Sequence, residues 1–165
     1  MSLQIRSATL SDLPTLTEIY NHYIIHTSTT FDIDTYTTQA RRVWFDQFSL
    51  AGRHQLLVAE QKGQLLGYAC SGQLKPKGAY ASSVEVSIYL APDASGRGTG
   101  TALYTALFER LSKEDVHRVY ACVTQPNEVS RVLHEKFGFK PAGTFREVGR
   151  KFDKYWDVAW FEKEM

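Results

Sequence analysis

The sequence predicts a mixed α/β fold in one domain, and three observations carry that expectation. The chain has 165 residues, a length at which one core can bury about 70% of the surface exposed by the unfolded chain, so no metal or disulfide staple is needed. Hydrophobic residues make up 43% of it, enough to build such a core. Their spacing switches along the chain between a helical period and strict alternation, as expected of helices layered on a sheet. Residues 1–165 therefore read as a single domain, with no repeats, linkers or low-complexity tracts.

Leu3 to Ala8 reads as a short strand, and Ser11-Asp12 as the cap and acidic first turn of a helix. That helix spans about Asp12 to Ile25, because Leu13, Leu16, Ile19, Tyr20, Tyr23 and Ile24 recur at three- and four-residue spacing. His26 to Phe31 is rich in Ser and Thr, which predicts a loop presenting one aromatic side chain. A second helix is expected from Thr38 to Leu50, ended by Gly52. Gln55–Glu60 and Gln64–Ser71 are strand-type runs around Lys62-Gly63, a hairpin turn whose glycine supplies a positive φ. Val84 to Leu90 alternates strictly, sending Val84, Val86, Ile88 and Leu90 to the core and Glu85 to the other side, and Pro92 ends it. After the loop Ser95–Gly100 come a helix over Gly100–Lys113, a strand over Arg118–Thr124 and a helix over Asn127–Phe137 that Gly138 closes. Lys140–Arg146 and Tyr155–Lys163 are the last strands, giving the order β-α-α-β-β-β-α-β-α-β-β.

Charge narrows the function classes. With 19 Lys and Arg against 18 Asp and Glu, and no basic tail, the chain lacks the clustered positive charge that phosphate backbones and anionic membranes require, so neither nucleic acid nor membrane is an expected partner. The N-terminus carries no apolar leader, and no apolar run approaches the ~20 residues needed to span a bilayer. Cys70 and Cys122, the only cysteines, form no Cys-x-x-Cys pair and read as reduced thiols, which points to the cytoplasm. His22, His26, His54 and His117 show no ligand spacing with Cys, Asp or Glu, so no metal is expected.

The strand, glycine-rich loop and helix between Val84 and Lys113 form the strongest local signal. Unpaired N–H groups at a helix start bind phosphate, and Gly96, Gly98 and Gly100 allow close backbone approach beside Arg97. A plain tight turn is the other reading. A Walker A loop is excluded because Gly-Lys-Ser/Thr is absent, and a dinucleotide fingerprint fits poorly because the loop is mid-chain and has Thr101 at the third small position.

Ser95-Gly96-Arg97-Gly98-Thr99-Gly100 resembles the pyrophosphate loop of the GCN5-related N-acetyltransferases (GNAT), with Ser95 where that family has Gln or Arg. Pro126 to Phe139, containing Asn127, Ser130, Leu133, Glu135, Lys136, Gly138 and Phe139 in register, resembles the family's second motif. Within the superfamily the chain is most similar to the phosphinothricin and methionine sulfone/sulfoximine acetyltransferases. Four pieces carry this: Ile19-Tyr20-Asn21-His22-Tyr23; Ser83 to Leu90; His134 in place of the more usual Tyr; and Phe145-Arg146-Glu147-Val148-Gly149 followed by Lys151-Phe152 and Asp157-Val158. The subgroup's Trp/Phe-Arg substrate loop reads Leu74-Lys75-Pro76-Lys77-Gly78-Ala79-Tyr80 here, exchanging a planar bidentate anion binder for a lysine.

The resemblance implies an α/β (α+β) acyl-CoA N-acyltransferase fold, a mixed central sheet of about seven strands flanked by about four helices. It implies acetyl-CoA as co-substrate, a small-molecule amine as acceptor, and a homodimer. Glu85 becomes the candidate base for the acceptor ammonium, and His134 the candidate proton donor to the leaving thiolate or a positioning residue. The backbone of Ile88, Tyr89 and Leu90 is expected to pair with the pantetheine arm and to offer an oxyanion donor. Ser95, Gly96, Arg97, Gly98, Thr99, Gly100 and Thr101 would hold the pyrophosphate. Asn127 would either contact the pantetheine amides or serve as an ordinary helix cap. Phe31, Lys75 and Tyr80 fall in the two loops that the family folds over the acceptor. The expected reaction is acetylation of the α-amine of a small amino acid or analogue by direct attack. The alternatives are acetylation of a protein or peptide, and a non-catalytic acyl-CoA-binding module on the same fold.

Overall fold

A computed structural model describes residues 2–165. Seven strands form one mixed sheet: β1 (Gln4–Ser7), β2 (Leu56–Gln61), β3 (Gln64–Gln73), β4 (Ser83–Leu90), β5 (Arg118–Thr124), β6 (Lys140–Lys151) and β7 (Lys154–Glu164). Four α-helices flank it: α1 (Leu13–His26), α2 (Thr38–Phe45), α3 (Thr99–Leu111) and α4 (Glu128–Lys136). The strand order is β1-β2-β3-β4-β5-β7-β6. Every pair is antiparallel except β4 with β5, so the one parallel junction lies in the middle of the sheet.

The core explains the order of the elements. Leu56, Leu57, Val58 and Ala59 of β2 are all buried, as befits a strand covered on both faces. On one face α1 and α2 bring Tyr20, Tyr23 and Trp44 against Tyr68 and Tyr89. On the other, Leu103, Tyr104, Leu107 and Leu111 of α3 are fully buried in the same core. The expected stripe on α1 is present, with Leu13, Leu16, Ile19, Tyr20 and Ile24 buried. Its start differs from the expectation at Ser11-Asp12. Thr9 caps a short 3-10 turn, and Asp12 turns inward to accept two bonds from Arg6, at 2.7 and 2.9 Å, and one from the Thr9 amide.

Two boundaries moved further. The second helix stops at Phe45 instead of reaching Leu50, because the amides of Gln47 and Phe48 bond only three residues back and Ser49 turns away to the His54 carbonyl. That tight exit lets Phe48 meet Trp44 edge-on at 5.1 Å. β6 runs to Lys151, five residues beyond Arg146. It is an edge strand interrupted by two irregularities, between Pro141 and Gly143 and between Phe145 and Gly149, with Glu147 at φ 50°. Nearly all of it is exposed, so it carries no alternating pattern for periodicity to detect. Among the described residues no helix is long and apolar enough to cross a membrane.

Candidate active site

β4 and β5 are bonded through only three register pairs: Ser83 with Arg118, Val84 with Val119, and Glu85 with Tyr120. β4 continues to Leu90 and β5 to Thr124, so the two strands part after Glu85. Among the described residues, the β4 edge beyond it has no strand beside it on that side. The gap is a cleft walled by Val86, Ile88 and Tyr89 of β4, Cys122 and Thr124 of β5, and His134 of α4. An open strand edge offers a row of backbone donors and acceptors to an extended amide ligand.

The start of α3 closes one end of this cleft. Gly98 sits at φ 77° as the helix cap, a left-handed conformation that glycine adopts without a Cβ clash. A Cβ on Gly100 would touch Ile88 and Leu133 at 3.5 Å and Leu90 at 3.9 Å, so the first turn of α3 lies wedged between β4 and α4. The leading amides of such a turn have no partner within the helix and favour an anion. Ser95, Gly96 and Arg97 are exposed in the approach, whereas Thr99 is buried. Lys136 places its ammonium 3.3 Å from Thr101 Oγ1, a second cation at this end that the sequence reading did not single out.

Glu85 stands at the vertex, the last paired residue before the strands part. It shares its sheet face with Cys122, whose Sγ donates to Glu85 Oε1 at 3.3 Å. Burial pushes the Glu85 carboxyl above the ordinary glutamate range, while the Cys122 bond and the positive charge of Lys75 oppose the rise. Lys75 thus lies on the Glu85 side of the cleft. Tyr80 does not: it lines a separate groove with Gln47, Arg53 and His54, because the turn Gly78–Tyr80 faces the chain segment after α2. Phe31 packs against β6, its ring filling the space that a Cβ on Gly149 would need. The cleft instead receives Thr29, two residues earlier. Lys151 is buried and donates to the Thr30 carbonyl at 2.8 Å, so the loop between α1 and α2 is fastened to β6 at two adjacent points.

Asn127 caps α4, accepting from the Ser130 amide at 3.1 Å, and also lines the cleft. His134 lines it as well, but its ring is largely committed to the protein. Nδ1 is 2.7 Å from the Ser130 carbonyl, which can only accept, so this nitrogen carries the proton. Nε2, 3.0 Å from the Tyr104 hydroxyl, then accepts from it. Burial pushes the imidazole below the usual histidine range, more than the Ser130 bond raises it. His134 thus links the Ser130 carbonyl to the Tyr104 hydroxyl through its two ring nitrogens, with the neutral form favoured by burial. Tyr104 and Cys122 were both absent from the sequence-based site. Tyr104 gave the signal of a core residue, and only the register with Tyr120 puts Cys122 on the Glu85 face.

A histidine kept neutral in the fold has a stability signature. The unfolded chain takes up its proton first, near the ordinary imidazole value of about 6.5, so stability is complete above that pH and falls as the pH drops toward the lower folded pKa. Thermal melts from pH 8 to 5 should show this fall, and His134→Gln should flatten part of it. The remainder belongs to groups such as His54, which burial also lowers.

Comparison with known proteins agrees with this geometry. A family model described as an acetyltransferase (GNAT) domain matches residues 5–160. The phosphinothricin N-acetyltransferase of Streptomyces coelicolor is 48% identical, over 99% of this chain and 96% of its own length. The L-methionine sulfoximine/L-methionine sulfone acetyltransferase of Pseudomonas aeruginosa is 32% identical over 98% and 94%. The crystal structure of a phosphinothricin acetyltransferase from Sinorhizobium meliloti in complex with acetyl-CoA superposes with a TM-score of 0.94 at 27% identity, covering 100% of this chain and 89% of that one.

Proposed function

The chain belongs to the GNAT acetyltransferase family and is an acetyl-CoA-dependent N-acetyltransferase, and we propose that its acceptor is the α-amine of a small amino acid or analogue of the phosphinothricin or methionine sulfone/sulfoximine type. One observation carries the mechanistic part of this reading: a desolvated carboxylate, Glu85, stands at the vertex of a cleft whose wall is an unpaired strand edge. The first turn of α3, with Gly98, Thr99, Gly100 and Thr101, would hold the pyrophosphate of acetyl-CoA, aided by Ser95, Gly96, Arg97 and Lys136. The open β4 edge would pair with the pantetheine amides through the backbone on either side of Tyr89, at Ile88 and Leu90, because the Tyr89 carbonyl itself turns toward Gly67 of β3. Leu90 has its carbonyl already occupied by the Tyr23 hydroxyl at 2.8 Å, so its amide alone is left for that role. Acetyl-CoA supplies an activated thioester carbonyl.

Glu85 takes a proton from the acceptor ammonium, and the freed amine attacks the carbonyl carbon directly. The C–N bond forms as the C–S bond breaks, the nitrogen's second proton passing to the departing CoA thiolate to give the free thiol, with a β4 amide facing the developing negative charge. Cys122 supports direct attack rather than a covalent relay through its sulfur: the residue is exposed at the cleft wall, but partial desolvation of the sulfur and the nearby Glu85 push its thiol to about 12, so it stays protonated and poorly nucleophilic. Lys75 is the proposed anchor for an acceptor carboxylate. The loop fastened by Phe31 and Lys151 forms the opposite boundary of the acceptor side. The exposed edge strand β6, with Phe145 and Val148 exposed on it, supports a homodimer, and the free thiols of Cys70 and Cys122 fit the cytoplasm.

The acceptor is tested by thiol release from acetyl-CoA across free amino acids, methionine sulfone, methionine sulfoximine, phosphinothricin, polyamines and peptides. Turnover of peptides or polyamines with none of the small acceptors would overturn the reading. The cofactor site is tested by Gly98→Asp, which sets a carboxylate before the proposed phosphate site. Calorimetry should show at least a ~10-fold loss of acetyl-CoA affinity, whereas the uncharged Gly98→Asn, which also tolerates a positive φ, should stay within a few-fold of the parent.

A further inference from the structure

We propose that Cys122 is a positioning residue for acetyl transfer: its S–H, donated across the cleft vertex to Oε1 of Glu85, keeps that carboxylate aimed and ionised for an incoming ammonium. The proposal rests on the reading of Glu85 as the base. Glu85 and Tyr120 are the last register pair of β4 and β5, and Cys122 is the next β5 residue on the same face, just past the point where the strands part. A β5 side chain here must bridge the opening gap to reach β4, and the thiol does so at 3.3 Å. Among the described residues it is the one side-chain donor to Glu85. With Oε1 taken, Oε2 is left to accept the acceptor's proton.

The surroundings keep the thiol in the donor role. On the far side Cys122 faces Trp160 of β7 in register. The Cys122 proton is retained throughout the working range because the thiol is pushed up to about 12. The titratable or charged groups around Glu85 are Cys70 of β3, Lys75 of the β3–β4 loop, and Tyr120 and Cys122 of β5. Tyr89 lies further along its own strand on the same face, and Glu162 of β7 stands opposite Tyr120. Lys75 acts through its charge alone and is untouched by changes at Cys122. A shift in the Glu85 titration on changing Cys122 therefore reports the thiol.

A hydrogen bond to the ionised form lowers a carboxyl pKa, so its removal must raise it. The test is the pH dependence of kcat/KM at saturating acetyl-CoA for the parent, Cys122→Ala, Cys122→Val, Cys122→Ser and Glu85→Gln. Cys122→Ala and the similar-sized Cys122→Val should move the acidic limb upward by ~0.5–1 pH unit, the size expected for a weak S–H donor. Cys122→Ser, which restores a donor, should return the limb to the parent position or below. Packing damage alone would lower rates without moving the limb, and without rescue by serine. An unmoved limb in both Ala and Val variants, with Glu85→Gln abolishing it, would overturn the role of Cys122 and leave the base standing. A limb that survives in Glu85→Gln would overturn the base reading itself, and the proposal with it.

Discussion

Glu85→Gln should lower kcat by about 10²–10³-fold, the range expected when a general base is removed, while acetyl-CoA affinity stays within about twofold. The substitution keeps size and hydrogen-bonding capacity, so Cys122 can still reach the side-chain oxygen. Only the proton acceptor is lost. The parent's acidic limb should lie above the ordinary glutamate range, because burial raises this carboxyl, and should vanish in the variant. The sign for stability is opposite to that for activity. A raised carboxyl pKa means that the fold favours the neutral form, so the ionised Glu85 weakens the fold above that pKa. Glu85→Gln should therefore melt slightly higher than the parent at neutral pH. A variant of undiminished kcat, or one that loses acetyl-CoA affinity along with kcat, would remove Glu85 from the chemistry.

The second large effect is expected at a residue outside the cleft. Gly67 of β3 passes so close to the end of β4 that a Cβ there would lie 2.6 Å from the Tyr89 carbonyl oxygen and 2.9 Å from Leu90 Cα. Neither atom is the free end of a flexible side chain, so relief requires the backbone to move. Gly67→Ala should cost about 3 kcal/mol, a fall in Tm of roughly 6–12 °C for a chain of this size. It should also weaken acetyl-CoA binding, because the backbone that must yield, at Tyr89 and Leu90, belongs to the edge proposed to pair with pantetheine. By contrast, substitution at Gly72 of the same strand, where an added Cβ meets nothing within 4 Å, should leave Tm nearly unchanged. Differential scanning calorimetry with and without acetyl-CoA separates the two outcomes.

Much of this architecture could be read from local chemistry. The α1 stripe, the Lys62-Gly63 hairpin, the alternating β4 and the glycine loop before α3 each rest on spacing within about 15 residues, and each is present. The resemblance to GNAT acetyltransferases rested on two contiguous motifs, and the family match covers residues 5–160. What local pattern missed was structure whose cause lies elsewhere in the chain. β6 was cut short because an exposed edge strand needs no hydrophobic period. The β6–β7 turn at Phe152 and Asp153 adopts positive φ without the glycine that would signal it.

The same division runs through the site. Local sequence supplies the residue types: a carboxylate on the non-core side of β4, a glycine-capped helix start and a histidine on α4. Tertiary structure decided how they meet. The parting of β4 and β5 after three pairs makes the cleft, sets Cys122 against Glu85, and leaves the β4 edge open. The packing of α4 against α3 gives His134 a tyrosine partner, the Tyr104 hydroxyl 3.0 Å from its Nε2, which its place in the motif did not announce. Loop position groups Phe31 with Tyr80, while tertiary packing sets one ring on Gly149 and the other in the groove with Gln47, Arg53 and His54. The physical reason is that a local period determines which face of an element a side chain occupies. What that face meets depends on strand register and on contacts between residues far apart in the chain, and these form only when the whole core closes.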